Sequence, residues 1–329
     1  MAVVHQPNEA YLTEHFVRPD VAALLAMIEQ SPRPPMHALD APEARAGSKA
    51  ARALMEVDEG ELAVIRNFKI PGPGGDIAAR LFDAEIERAT GDLIVYYHGG
   101  GFVIGDLDSH GPLCADLSRM MGLPVVSVDY RLAPEHPFPA GPDDAIAAAR
   151  WLAAHSGKIG REAKRLVLMG DSAGANLALL AAIDLRDQPA AVPVAAQGLI
   201  YPVTGPVAKE GSGADFAEGY FLTRPLMDWF DGHYAPRLGD WRHETHLRGY
   251  AGLPSTAIIT ASLDPLRDQG RMLAAALAME GIETSYLEAR GNIHGFATMR
   301  RLVPSAHRDI ERLCEALNLL RCVTREEPK

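Results

Sequence analysis

The stretch Leu166-Val-Leu-Met-Gly-Asp-Ser-Ala-Gly-Ala-Asn-Leu-Ala-Leu-Leu-Ala-Ala-Ile183 decides how the rest of the chain reads. Leu166 to Met169 is a short apolar run closed by a glycine, the pattern of a buried strand. Ala173 to Ile183 is mostly Ala and Leu, apolar nearly all round, the pattern of a buried helix. Between them Gly170-Asp-Ser-Ala-Gly174 spells G-x-S-x-G. Strand, sharp turn and helix are the setting in which this motif lifts a serine clear of the backbone. Gly170 and Gly174 leave room for such a turn, and the positive end of the following helix points at Ser172. A motif this short also arises by chance, so a small-residue βα turn is an equal reading at this point.

Outward from this stretch, strands alternate with helices, the signature of a parallel sheet covered on both faces. Strands are expected at Leu93–Tyr97, Pro124–Asp129, Arg165–Met169, Gln197–Tyr201, Ala257–Thr260 and Thr284–Glu288. Helices are expected near 111–121, 142–155, 173–186, 265–280 and 305–320. Upstream, Glu61–Ile70 and Ile77–Phe82 flank the turn Pro71-Gly-Pro-Gly-Gly-Asp76 and predict an antiparallel hairpin on a sheet edge. Before it, Val21, Leu24, Leu25 and Ile28 predict one amphipathic helix. One gap breaks the rhythm, since most connections run ~4–6 residues and Thr204 to Leu253 is far longer. It holds Tyr220, Phe221, Trp229, Phe230, Tyr234 and Trp241, and reads as a lid or binding element or as a decorated loop with its own small core.

Composition narrows the function. The chain has 329 residues, 47% of them hydrophobic and 23% charged, values of a soluble globular protein. A net charge of −11 with no basic run argues against nucleic acid as a partner. Cys114, Cys314 and Cys322 form no C-x-x-C or metal-type spacing and read as free thiols in a reducing compartment. The N-terminus lacks a signal-peptide pattern, and no apolar run approaches the ~18 residues of a membrane span. A cytoplasmic protein is expected, with no metal site signalled by its cysteines.

His98-Gly-Gly-Gly101 follows the apolar strand Leu93–Tyr97. Backbone N–H groups unobstructed by side chains could there hold an oxyanion, with Gly99, Gly100 and Ala173 as the expected donors. The other reading is a flexible turn, and His98 reads as an anchor of the loop. A serine nucleophile needs a base held by an acid, here in the order Ser, Asp or Glu, His. His294, in Gly291-Asn-Ile-His-Gly-Phe296, follows the last strand in a glycine-flanked loop. His5, His15, His37, His233, His243 and His246 read as surface residues. His110, His136 and His155 precede the serine, and His307 falls on the last helix. Asp264 follows the strand Ala257–Thr260 and precedes Pro265, expected at the first helical position. By itself Asp264 reads as a helix cap or as the acid. Asp268 is the alternative acid.

Together the pieces resemble the hormone-sensitive-lipase-like esterases, a bacterial branch (family IV) of the α/β-hydrolases. The resemblance spans about residues 60 to 300. It rests on Tyr97-His-Gly-Gly-Gly-Phe-Val-Ile-Gly-Asp106, Asp129-Tyr-Arg-Leu-Ala-Pro-Glu-His-Pro-Phe-Pro-Ala140, Gly170-Asp-Ser-Ala-Gly-Ala-Asn176, Asp264-Pro-Leu-Arg-Asp268 and His294-Gly-Phe296. It implies a mostly parallel eight-stranded sheet with helices on both faces and a helical cap. The catalytic core would be 56–203 and 251–329, with N-terminal cap helices in 1–55 and a cap insertion at 204–250. It implies Ser172 as nucleophile, His294 as base and Asp264 as its orienting acid, with the oxyanion held by Gly99, Gly100 and Ala173. The activity implied is hydrolysis of short- to medium-chain acyl esters through an acyl-enzyme, without a cofactor. Dimerisation through the edge strand near Thr284–Glu288 is a further implication. Phe102, Tyr220, Phe221, Leu222 and Trp229 are the expected pocket residues, and plain core packing is the other reading for each. An amidase or formamidase would use the same triad, and a small-molecule receptor of this fold would have lost one of its members. Two positions depart from the family's pattern: Ala175 stands where a third glycine is common, and Gln269 where Glu is common.

Overall fold

The computed structural model describes residues 15–322, so the expectation for His5 lies outside the described residues. Eight strands form one sheet in the order β1-β2-β4-β3-β5-β6-β7-β8. β1 (Val64–Gly72) and β2 (Gly75–Asp83) are the expected antiparallel edge hairpin, closed by Pro73-Gly74. β2 also pairs antiparallel with β4 (Val125–Asp129). Every other neighbour is parallel: β3 (Gly91–Tyr97), β5 (Ala163–Asp171), β6 (Val194–Ile200), β7 (Ser255–Leu263) and β8 (Thr284–Ile293).

Side chains alternate across a strand, and here both sides are apolar. Leu93, Val95 and Tyr97 of β3 join one buried cluster, and Ile94 and Tyr96 join the other. β5 divides likewise, Leu166 and Leu168 against Val167 and Met169. Fully burying each large aliphatic side chain contributes about 1.5–3 kcal/mol, so both faces must be covered. α1 (Pro19–Glu29), α3 (Gly111–Met121) and α9 (Ala306–Leu320) cover one face through residues such as Leu24, Leu117 and Leu313. α4 (Ala140–His155), α5 (Ala173–Asp187) and α8 (Arg267–Met279) cover the other through Leu152, Leu179 and Leu277. Among the described residues, no helix is long and apolar enough to cross a membrane.

Three helices lie where the resemblance implies a cap but the residue pattern draws none. α2 (Ala41–Met55) buries only alanines in its first turn, Ala41 and Ala44, so no stripe of large apolar residues announces it. Its start is set by Asp40, which accepts from the Glu43 N–H at 2.9 Å. α6 (Ser212–Asp215) and α7 (Arg224–Tyr234) lie in the long gap between β6 and β7. α7 is capped by Thr223 and carries a proline in its first turn. Pro265 does not open α8: that helix begins at Arg267, and Pro265 and Leu266 form the turn before it.

Candidate active site

Ser172 stands between the end of β5 and the start of α5 with φ 54° and ψ −119°. That conformation costs on the order of 1–3 kcal/mol for a non-glycine residue, and the neighbours hold it. The Ser172 N–H donates to Ile200 O at 2.8 Å, and its carbonyl accepts from Ala175 and Asn176. A Cβ on Gly174 would lie 1.9 Å from Tyr97 O, and one on Gly170 would lie 2.3 Å from Gly174 O. The elbow therefore packs backbone against backbone, and a side chain at either glycine would push α5 away from β3.

His294 follows β8 and brings Nε2 to 2.9 Å from Ser172 Oγ. Its Nδ1 lies 2.8 Å from Asp264 Oδ2. Asp264 is fully buried just past β7, and its Oδ1 accepts from the Leu266 N–H at 2.8 Å. Asp264 is not the cap of α8, whose N-cap position is Leu266: Oδ1 holds the turn before that helix, and Oδ2 faces the imidazole. Asp268 is committed elsewhere: Oδ2 accepts from the Ser212 N–H at 2.8 Å and Oδ1 from Arg267 at 2.9 Å. His307 sits half exposed on α9, 3.3 Å from Glu311. Of the histidines expected at the surface, His243 is instead buried and lines the cavity described below.

The glycine loop corrects one expectation. The Gly99 N–H donates to Asp171 Oδ1 at 2.8 Å and so has no capacity left for a ligand. The N–H groups of Gly100, Gly101 and Ala173 have no acceptor among the described residues, and all three line the cavity that holds Ser172. Asp171 is the hub behind the loop. Burial pushes its carboxyl upward, but His110, the Tyr96 hydroxyl (2.7 Å) and Arg52 outweigh that and hold it well below the carboxylate range. His98 anchors the loop, donating from Nδ1 to Gly99 O at 2.9 Å and stacking on Tyr130 at 4.4 Å. Burial pushes its pKa down to about 4, so the ring stays neutral.

A cavity of about 130 Å³ reaches Ser172 and His294. Phe102, Phe221 and Leu222 line it as expected. Tyr220 and Trp229 do not. Tyr220 is buried edge-on to Phe216 beneath the segment, and the Trp229 indole donates to Leu39 O at 3.1 Å. Phe230 takes the place expected of Trp229: its ring packs directly over Gly101. Gln269 explains its departure from the family's pattern. Oε1 accepts from the Thr204 N–H at 2.8 Å, and Nε2 donates to Gly205 O and Pro206 O at 3.1 Å each. A carboxylate could accept there but could not donate, so the amide suits the start of the 204–250 segment.

Residues 94–298 match a family described as having the alpha/beta hydrolase fold. The ethyl acetate hydrolase of Pseudomonas putida is 34% identical over 92% of this chain and 98% of its own. The chain belongs to the alpha/beta hydrolase family. Within that family it is a hormone-sensitive-lipase-like carboxylesterase, an enzyme that hydrolyses carboxylic esters. Carboxylesterase NlhH of Mycobacterium tuberculosis is 37% identical over 70% of this chain and 74% of its own. Among solved structures, an alpha/beta hydrolase from the Lake Arreo metagenome superposes with a TM-score of 0.87 at 36% identity, covering 92% of this chain and 98% of that one. In this carboxylesterase Ser172, His294 and Asp264 stand at the carboxyl ends of β5, β8 and β7, where open α/β sheets place their sites.

Proposed function

We propose that this carboxylesterase acts through Ser172, His294 and Asp264 by way of an acyl-enzyme, and prefers short acyl chains. The continuous hydrogen-bond line from Ser172 Oγ through His294 to Asp264, at 2.9 and 2.8 Å, carries the reading. Asp264 accepts from Nδ1–H and so leaves the Nε2 lone pair facing the serine. His294 takes the Oγ proton as Oγ attacks the ester carbonyl. The N–H groups of Gly100, Gly101 and Ala173 receive the oxyanion, a contribution of several kcal/mol in a site of this kind. The tetrahedral intermediate collapses, and His294 passes its proton to the departing alcohol. Water then enters, gives a proton to His294, and attacks the acyl-Ser172 carbonyl; the acid leaves and the serine is restored.

Residues 15–55 and 204–250 act as the cap in this account. α2 and α7 both contribute walls to the cavity over Ser172. Its 130 Å³ is close to the ~150 Å³ of a cavity that holds one benzene. An acetyl to butanoyl group fills such a space, and a long chain does not. Hydrolysis of p-nitrophenyl esters from acetyl to palmitoyl is expected to peak at or below butanoyl and to fall at least tenfold in kcat/KM by the octanoyl ester. A rate that rises steadily with chain length would contradict the assigned pocket.

A further inference from the structure

α2 carries Arg45, Lys49 and Arg52 at i, i+4 and i+7, on one face of the helix. The first two are neutralised on the outside. Arg45 pairs with Glu135 at 2.6 Å, and Lys49 pairs with Asp108 at 2.8 Å. Arg52 differs: it lines the cavity that contains Ser172 and His294. Its guanidinium bonds to the Thr298 hydroxyl and has no carboxylate within 4.0 Å among the described residues. Glu56, one helical turn on and the natural i+4 partner, is committed to Arg300 Nε at 2.9 Å. Asp171 feels the Arg52 charge, but its oxygens are bonded to Tyr96, Gly99 and Tyr201. Asp231, also along the cavity, makes no ion pair with Arg52.

The helix that carries Arg52 is anchored at both ends. Arg45 also fixes α2 to the glycine-loop layer, donating to Val103 O at 2.8 Å and Ala133 O at 2.7 Å. The buried Glu56–Arg300 pair ties down the end of α2. Ser48, one turn before Arg52, lines the same cavity with a hydroxyl that bonds to no described residue. A planar cation and a hydroxyl one turn apart, on a cavity lined also by Phe102, Phe221, Leu222 and Phe230, with Asp171, Asp231 and His243 as its further polar walls, offer N–H and O–H donors to a carboxylate.

We propose that Arg52, with Ser48, binds a carboxylate carried by the ester substrate, so that the enzyme favours esters of hydroxy acids or half-esters of dicarboxylic acids. The inference rests on the esterase reading above and adds the substrate's charge to it. Two matched pairs test it. Ethyl hemisuccinate against ethyl succinamate places the charge on the acyl side, and acetoxyacetate against acetoxyacetamide places it on the alcohol side. At neutral pH the wild-type enzyme should favour the anion over its carboxamide by about tenfold in kcat/KM in one of the pairs, the size of one charge-assisted contact. In Arg52→Gln that ratio should fall to about one, with Arg52→Lys intermediate. Because the readout is the ratio, any loss common to both esters cancels. Equal rates for anion and carboxamide in both pairs, or an unchanged ratio in Arg52→Gln, would overturn the proposal. Should the variants not fold, the wild type still decides: succinate should inhibit ethyl acetate hydrolysis competitively about tenfold more strongly than succinamide, and equal inhibition would overturn it. Hydrolysis of the neutral members without a preference sinks only this inference. Failure to hydrolyse any ester, neutral or anionic, sinks the esterase reading as well.

Discussion

Ser172→Ala is expected to lower kcat for p-nitrophenyl acetate by about 10⁵- to 10⁶-fold, the scale on which removing a serine nucleophile acts. The fold should survive. Among the described residues the serine side chain makes one hydrogen bond, to His294 Nε2, and the backbone bonds to Ile200, Ala175 and Asn176 are untouched. Alanine at φ 54° carries about the same strain as serine, so the elbow need not rearrange. Thermal unfolding within a few degrees of wild type, together with the loss of turnover, would be the expected pair of results. Residual activity within a hundredfold of wild type would place the nucleophile elsewhere.

Asp264→Asn should cost roughly 10⁴-fold in kcat through the histidine tautomer. The neighbours decide which way the new amide faces. The Leu266 N–H lies 2.8 Å from Oδ1 and requires an acceptor there, so the amide oxygen stays on that side. The amide nitrogen then faces His294 Nδ1, which must accept rather than donate. The ring proton moves to Nε2 and points at Ser172 Oγ, which can no longer pass its proton to the imidazole. The heavy atoms stay almost in place, so binding of a non-reactive ester analogue should change little while kcat falls. A kcat within tenfold of wild type would show that Asp264 serves the turn before α8 and not the base.

The sheet and the places of Ser172, Asp264 and His294 are legible in sequence because glycines punctuate both. The strands are unbroken apolar runs, since both faces are covered, and Ser172, Asp264 and His294 each follow one directly. The free N–H groups of the glycine loop are half legible. Gly99, Gly100 and Gly101 are chemically identical, and only the approach of Asp171, a residue distant in sequence, decides that Gly99 is the one already engaged. The resemblance implies cap helices in 1–55, but the residue pattern does not place α2, because its buried face begins with alanines, which leave no contrast with the exposed face. Arg52 and Ser48 gain meaning only once α2 is laid across the site. α7 was hidden inside a long irregular segment, although Thr223 and Pro225 signal its start. Without the helix its phase could not be read, and phase is what turns Phe230 toward Gly101 and Trp229 toward Leu39. His243 looked like a surface residue because nothing local shows that the segment folds back over it.

The most direct measurement is peptide mass spectrometry after inactivation with a p-nitrophenyl phosphonate ester. The account predicts one phosphonyl group per chain on Ser172, activity lost in proportion to labelling, and no adduct at that position in Ser172→Ala. Labelling at another residue, or full activity in a chain phosphonylated at Ser172, would contradict it.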